Sequence, residues 1–284
     1  MKNKTIKRMR YLLSFIYRNS YIPNFEHPKS YNEKINHRKR YCRNKLFSVC
    51  SDKIEVKEYV SKLISKEFII PTIESGNKLT ANVIQRSLKN RNSVFVKANH
   101  NSGPVYKINT DTPTSEIDTI CEDINRQLTL DYGSSSGEPW YSEIPPKFLV
   151  EPDIGVEAEE VLDYKFHIFK QNSGEQQVLL HVDFDRETNH NRSFFDEELN
   201  WLPFSTFVPS LKTKISQPKN YKVMLDIAKK LAEPFSYARV DFYNIDGAIY
   251  FGELTFAPGS GHSKFSDKSY DFWLGNLWIE DCRY

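Results

Sequence analysis

The stretch SYARVDFYNIDGAIYFGELTFAPGSG, residues 236–261, carries two carboxylates, Asp241 and Glu253, in otherwise apolar surroundings. In its first half Ala238, Val240 and Phe242 alternate with Arg239, Asp241 and Tyr243. In its second half Gly252, Leu254 and Phe256 alternate with Phe251, Glu253 and Thr255. That alternation predicts two strands of a hairpin, each with one apolar and one chemical face. A two-residue turn at Asp246-Gly247 would pair Asp241 with Gly252 and send Glu253 to the opposite face. A three-residue loop over 246–248, or an equivalent bulge, would set Asp241 against Glu253 and Arg239 against Thr255. Two carboxylates about 5 Å apart repel each other and raise a pKa. A magnesium ion removes that conflict, and this hard cation prefers a few carboxylates together with phosphate oxygens. Arg239 would point into the same site, where it could steady a developing negative charge. A solvated acidic face on an exposed hairpin is the other reading of the same spacing.

The elements that must position this hairpin can be read from periodicity. SDKIEVKEYVSKLI has the apolar spacing of an amphipathic helix with Ser51 or Asp52 as cap, SVFVK reads as a short buried strand, and TSEIDTICEDINRQL as a helix capped by Thr114 or Ser115. DYGSSSGEP, rich in turn formers, predicts a flexible loop. KFLVE, YKFHIF and QVLLHVDF are strand-like, and YKVMLDIAKKLAEPF is a helix ended by Pro234. Mixed helices with mainly hairpin-connected strands predict an α+β fold instead of a doubly wound parallel sheet. The expected organisation is a basic helical segment over 1–50, one lobe over 51–150 and a second over 151–284, with the lobe boundary at 145–154.

The chain has 284 residues, 39% hydrophobic and 27% charged, enough for a sizeable core. No run approaches the eighteen or so apolar residues of a membrane span, and YLLSFIY lacks a signal-peptide cleavage site. Four scattered cysteines, Cys42, Cys50, Cys121 and Cys282, contain no C-x-x-C pair, which argues against zinc or a disulfide framework and fits a reducing cytoplasm. Residues 1–50 hold thirteen Lys or Arg against Glu26 and Glu33, a net of +11, so a total of +2 leaves −9 for the remainder. With Tyr11, Leu12, Leu13, Phe15, Ile16 and Tyr17 interleaved, this segment is a candidate for peripheral contact with the anionic inner face of a membrane or with a polyanion. The alternative is a helix whose apolar stripe packs on the main body. Nucleic acid is not expected, because the rest of the chain is acidic and no reader motif is present.

The pieces ARVDFY and YFGELTFAPGSG, with SYNEKI, SDKIEVKEYV, VFVKANHNSG, FLVEPDI, LDYKFHIF and DFDR in order over residues 30–275, resemble the ATP-grasp superfamily. More narrowly they resemble the teichuronopeptide-biosynthesis-like subgroup of bacterial surface-polysaccharide clusters. The resemblance implies two α+β lobes gripping ATP between antiparallel sheets, with ATP and Mg2+ as cofactors. It implies Lys97 and Lys53 on the ATP phosphates, with Ser102 and Gly103 in the loop closing over them. It places adenine between the Pro152 carbonyl and the Ile154 N–H, assisted by Glu151, and the ribose hydroxyls on Asp163. Lys165, Arg186 and Arg192 become candidates for the γ-phosphate or an acidic substrate; ordinary surface charge is the other reading of these three. Asp241 and Glu253 would hold the metal with Thr255, where many family members have Asn, as third ligand. Arg239 would stabilise the acyl phosphate, and Gly259, Ser260 and Gly261 would offer backbone N–H groups to the acceptor carboxylate. His100, His167, His181 and His262 are assigned no catalytic role.

The activity so implied is a carboxylate–amine ligase that forms an amide through an acyl phosphate. The subgroup implies an amino acid or small amine joined to a hexuronic acid of a capsule, O-antigen or other surface polymer. This chemistry rests on positioning and charge neutralisation, in keeping with a sequence that shows no Ser-His-Asp or Cys-His arrangement. A sugar kinase of the same superfamily, a glycosyltransferase of a polysaccharide cluster and a non-catalytic ATP-binding protein remain as alternatives.

Overall fold

The computed structural model describes residues 2–155, 162–184 and 190–279. Arg186 and Cys282 lie outside the described residues. The chain forms two compact units, each assembled from separate stretches: residues 1–43, 162–241 and 254–284 in the first, 44–161 and 242–253 in the second.

The first unit begins with α1 (Lys2–Asn19) and α2 (Tyr31–Tyr41). The sequence YNEKINHRKRY has no apolar stripe, yet most of α2 is buried. It starts with a capping box, in which the Ser30 side chain accepts from the Glu33 N–H while Glu33 reaches back to the Ser30 N–H. Its long polar side chains find backbone partners inside the unit. Arg38, fully buried, donates to the carbonyls of Tyr237 and Phe256 at 2.9 Å each and to Ser236 Oγ. Lys34 donates to the Gly275 and Trp278 carbonyls, and the Arg40 guanidinium lies 3.9 Å over the Phe25 ring. Part of the basic excess of residues 1–50, Lys34, Arg38 and Arg40, is therefore internal structure.

In the second unit come α3 (Lys45–Ser51), α4 (Glu55–Leu63), β1 (Glu74–Gly76), α5 (Ala81–Leu88), β2 (Ser93–Ala98), β3 (Val105–Asn109), α6 (Thr114–Gln127), α7 (Tyr132–Ser136) and β4 (Phe148–Pro152). The strands form an antiparallel sheet in the order β1-β4-β2-β3. Val94, Val96, Ile108 and Val150 join Ile84 of α5 and Ile117, Ile120 and Ile124 of α6 in one core. Three expectations are corrected. Ile54, not Ser51 or Asp52, occupies the cap of α4, although Asp52 accepts from the Ile54 and Glu55 N–H groups. Pro113, not Thr114 or Ser115, occupies the cap of α6. DYGSSSGEP is not a loop throughout but holds α7, because the Asp131 carboxylate accepts from the Ser134 N–H and from Ser142 Oγ.

From residue 162 the chain, in the first unit except for residues 242–253, forms β5 (Leu162–Lys170), β6 (Gln176–Phe184), β7 (Asn191–Phe195), β8 (Trp201–Leu202), α8 (Tyr221–Ala232), β9 (Tyr237–Ile245), β10 (Ala248–Thr255), a short turn of helix at Pro258–Gly261 and α9 (Lys268–Asn276). The sheet order is β10-β9-β5-β6-β7-β8. Register sets Asp163 opposite Asp183 opposite Arg192, and Lys165 opposite His181 opposite Phe194. One face is thus charged. The other buries Phe166, Ile168, Leu180, Val182 and Phe195, with Met224, Ala228 and Leu231 of α8 also in the core. No helix among the described residues is long and apolar enough to cross a membrane.

Candidate functional site

Two lysines of the second unit meet around one carboxylate. Glu151 lies on β4, buried, and takes an ion pair from Lys97 of β2 at 2.6 Å and another from Lys57 at 2.5 Å. Burial alone would raise the Glu151 pKa, but the two ammonium groups hold it below the ordinary carboxylate range. Lys53 donates its ammonium to the Asn101 carbonyl. Burial pushes its pKa down to about 8, a drop that Glu253 counteracts and the nearby Lys97 deepens. Lys53, Lys97, Glu151 and Glu253 therefore form one electrostatic group. Lys57 was missed by the sequence reading; it sits in the middle of an amphipathic helix, where a lysine reads as surface.

The loop after β2 is pinned at several points. Asn99 donates to Asp52 and to the Pro145 carbonyl and accepts from the Lys147 N–H. Asn101 donates to Gln127 and accepts from the Gly103 N–H. A Cβ at Gly103 would stand 2.5 Å from Gln127 Oε1, so a larger residue there would push aside the side chain that Asn101 donates to. Exposed Ser102 shares a hydrogen bond with Tyr132. At the other end of the sheet Pro152 pairs with Val94, and Ile154 stands in the turn that follows. The neighbouring Asp153 is fixed by Lys107 at 2.7 Å and Ser93 at 2.8 Å.

The charged sheet face of the first unit centres on Asp183, which the sequence reading did not single out. Arg192 Nε and His190 Nε2 each lie 2.8 Å from its Oδ1, and Lys165 is 3.1 Å from its other oxygen. Lys165 also pairs with Asp163. Burial would raise the Asp183 pKa, but His181 and Arg192 hold it far below the carboxylate range. The string Asp183-Phe184-Asp185 has the Asp-x-Asp form of nucleotide-sugar metal sites, yet Asp183 is already committed to cations. Lys165 and Arg192 are thus parts of a built cluster, not ordinary surface charges.

Beside that cluster Tyr31, Tyr237, His167 and His181 form a buried hydrogen-bonded row, with contacts of 2.9, 2.8 and 3.3 Å. Burial, then the cations around them, keeps both imidazoles well below their ordinary pKa, His167 also through His181, while Asp183 partly opposes the shift at His181. A cavity opens there, lined by His167, His181, Arg192, Arg239 and Gly259 and by the rings of Tyr31, Phe169, Phe194 and Phe265.

On β9, Arg239 grips Asp241 with a two-pronged fork, Nε to Oδ1 and Nη2 to Oδ2, both 2.7 Å, and Nη2 also donates to Thr255 Oγ1 at 3.1 Å. The turn between β9 and β10 is two residues long, Asp246 and Gly247, both at positive φ. An unbroken ladder from such a turn would put Thr255 on the face away from Arg239, yet the two side chains are in contact. Glu253 precedes Thr255 by two residues and faces the same side of β10. Asp241 has Arg239 as its partner, and Glu253 acts electrostatically on Lys53. Asp241 keeps further lone pairs beyond those the fork uses, and the carboxylate and hydroxyl oxygens of Asp241, Glu253 and Thr255 are each of the hard type that magnesium takes. Among the described residues no group of three or more Asp, Glu, His or Cys could hold a metal on its own.

The Gly259-Ser260-Gly261 turn takes three successive positive φ values, 58°, 52° and 71°. Helix α2 clamps it. Asn36 donates to the Gly261 carbonyl at 2.9 Å, Lys39 donates to Ser260, and a Cβ on Gly261 would stand 2.5 Å from Asn36 Nδ2. The Ser260 N–H is engaged by the Ala257 carbonyl at 2.8 Å, and Gly259 is the member of the three that lines the cavity.

The model of a family described as TupA-like ATPgrasp matches residues 33–279. No curated protein sequence matches the chain. Among solved structures it is similar to the D-Alanine-D-Alanine Ligase from Helicobacter pylori, at 18% identity and a TM-score of 0.47, over 81% of this chain and 61% of that one. It is also similar to D-alanyl-alanine synthetase A from Vibrio cholerae O1 biovar eltor str. N16961, at 13% identity and a TM-score of 0.45, over 73% and 55%. The chain thus spans 55–61% of the length of these two structures.

Proposed function

Because the chain belongs to the TupA-like ATP-grasp family, and so has the α+β ATP-grasp fold of ligases, we propose that it is an ATP- and magnesium-dependent carboxylate–amine ligase. Its acceptor in this reading is a hexuronic acid of a surface polysaccharide, and its second substrate an amino acid or small amine. The observation that carries the substrate class is the cavity of the first unit. Guanidinium groups match a carboxylate in geometry and charge, and Arg192 and Arg239 both line it. The rings of Phe169, Phe194 and Phe265 suit the C–H face of a pyranose, and two neutral imidazoles can exchange hydrogen bonds with its hydroxyls.

The chain's residues then divide the work. Lys53 and Lys97 neutralise ATP phosphate oxygens beneath the loop of Ser102 and Gly103. The Pro152 carbonyl and Ile154 N–H receive the adenine edge, Glu151 orients Lys97, and Asp163 takes the ribose hydroxyls. Magnesium held by Asp241, Glu253 and Thr255 would neutralise phosphate charge. An acceptor carboxylate oxygen attacks the γ-phosphorus and ADP leaves; the amine nitrogen attacks the acyl carbon, and the C–O bond to phosphate breaks as the amine gives up a proton. Arg239, which lines the cavity, would donate to the developing oxyanion, with Lys165 and Arg192 as charge partners. Arg186 remains a candidate outside the described residues.

The test is release of ADP and phosphate from MgATP, screening hexuronic acids and their nucleotide-linked forms against amino acids and small amines. Phosphate release that requires both a uronate and an amine, and that drops at least about a hundredfold in Glu253→Gln, is the expected outcome. ADP without free phosphate would favour a sugar kinase. Failure to bind MgATP at all would overturn the ligase reading.

A further inference from the structure

Helix α1 has two apolar faces. One is packed: Phe15 is fully buried, with ring centroids 5.3 Å from Tyr21 and 5.5 Å from Phe25, and Tyr11 sits 4.3 Å from His262. The opposite side, at the spacing i, i+3, i+7, i+11, is Ile6, Met9, Leu13 and Tyr17. Those four are 43%, 55%, 58% and 88% exposed. Single exposed apolar residues need no explanation, but a continuous line over three turns does. The packed face answers the reading in which the apolar stripe packs on the main body; the exposed face is the one a membrane would use.

Charge says what covers the open face. The helix contains six Lys or Arg and no Asp or Glu, and Arg10 and Arg18 are exposed. We infer that this face of α1 lies on an anionic lipid bilayer, with its apolar line at the headgroup–acyl boundary and the exposed Arg10 among the lipid phosphates. A helix with one polarity of charge and an exposed aliphatic line is built to lie in an interface, not to cross it. A second copy of the chain would set two all-positive helices against each other, and nucleic acid would leave the Ile, Met and Leu side chains uncovered.

Deleting the helix would not test this, because Tyr11, Phe15 and Asn19 are structural. Met9→Glu/Leu13→Glu alters exposed positions only, and Tyr17→Ser provides a second, milder variant. Flotation of the full chain with vesicles of phosphatidylcholine alone, or mixed with phosphatidylglycerol, measures binding without reference to catalysis. The expected result is binding to the anionic vesicles only, weakened by salt, unaffected by soluble glycerol phosphate, and at least about tenfold weaker in the double variant. Absence of binding to anionic vesicles overturns the inference. So does binding that the double variant and Tyr17→Ser leave intact, or that glycerol phosphate abolishes as a headgroup site would. A concentration-dependent dimer removed by the same variants would instead assign the face to a second copy.

Discussion

Lys53 is the residue whose chemistry is most exposed to measurement. Burial brings its pKa from 10.5 down to about 8, so the nucleotide-free protein begins to lose that charge not far above neutrality. A bound phosphate favours the ammonium and pulls the pKa back up, so nucleotide binding takes up a proton at alkaline pH. Affinity for MgADP should be flat below pH 7 and fall by up to about tenfold per unit above pH 8. For stability the sign is opposite. The charged form is the one that folding disfavours, so its cost is fully present below pH 8 and is relieved as pH rises towards 10.5. Calorimetry of nucleotide binding across this range, repeated with Lys53→Arg, decides the matter; equal slopes in both proteins would sink the assignment. Residue types and order made Lys53, Lys97, Asp241 and Glu253 legible in the sequence. Asp183 was not, because its hub position depends on three strands placing Asp163, Asp183 and Arg192 in one row, and register is a long-range property.

At the scale of elements, α2 decides whether the site is held. Its residues clamp the Gly259–Gly261 turn and, through Arg38, the start of β9 and the residue after β10. Replacing Arg38 by Met keeps the apolar bulk but leaves two buried carbonyls and a hydroxyl without their donor, an expected loss of about 3–5 kcal/mol. For a chain of this size that is roughly a 10 °C drop in melting temperature, read by differential scanning calorimetry. A drop under about 2 °C would mean that water replaces the guanidinium without penalty. This helix was opaque to pattern reading for a physical reason. It buries polar side chains on backbone carbonyls instead of an apolar stripe, so periodicity carries no signal and its charges read as surface. The strands and α4, α6 and α8 were legible because they do bury apolar stripes, and the loop misread at DYGSSSGEP owes its helix to one Asp131 side chain.

The whole molecule draws each unit from separate stretches of chain, with β9 and β10 divided between them at residues 241/242 and 253/254. Ordered motifs made the α+β ATP-grasp fold legible, whereas that partition follows from tertiary packing and leaves no mark on composition. The proposed metal ligands Asp241, Glu253 and Thr255 all belong to the β9–β10 hairpin. Magnesium-bound nucleotide should stabilise the chain by linkage. At a hundredfold excess over Kd the gain is about 2.7 kcal/mol, or roughly 5–10 °C in melting temperature. Chelating the magnesium should leave only the smaller shift supplied by Lys53 and Lys97 on the phosphates. In Glu253→Gln the magnesium-dependent increment should vanish while the chelator-resistant shift remains, since the lysines are untouched. If the increment survives in Glu253→Gln and in Thr255→Val alike, the metal is held elsewhere and the hairpin serves only as scaffold.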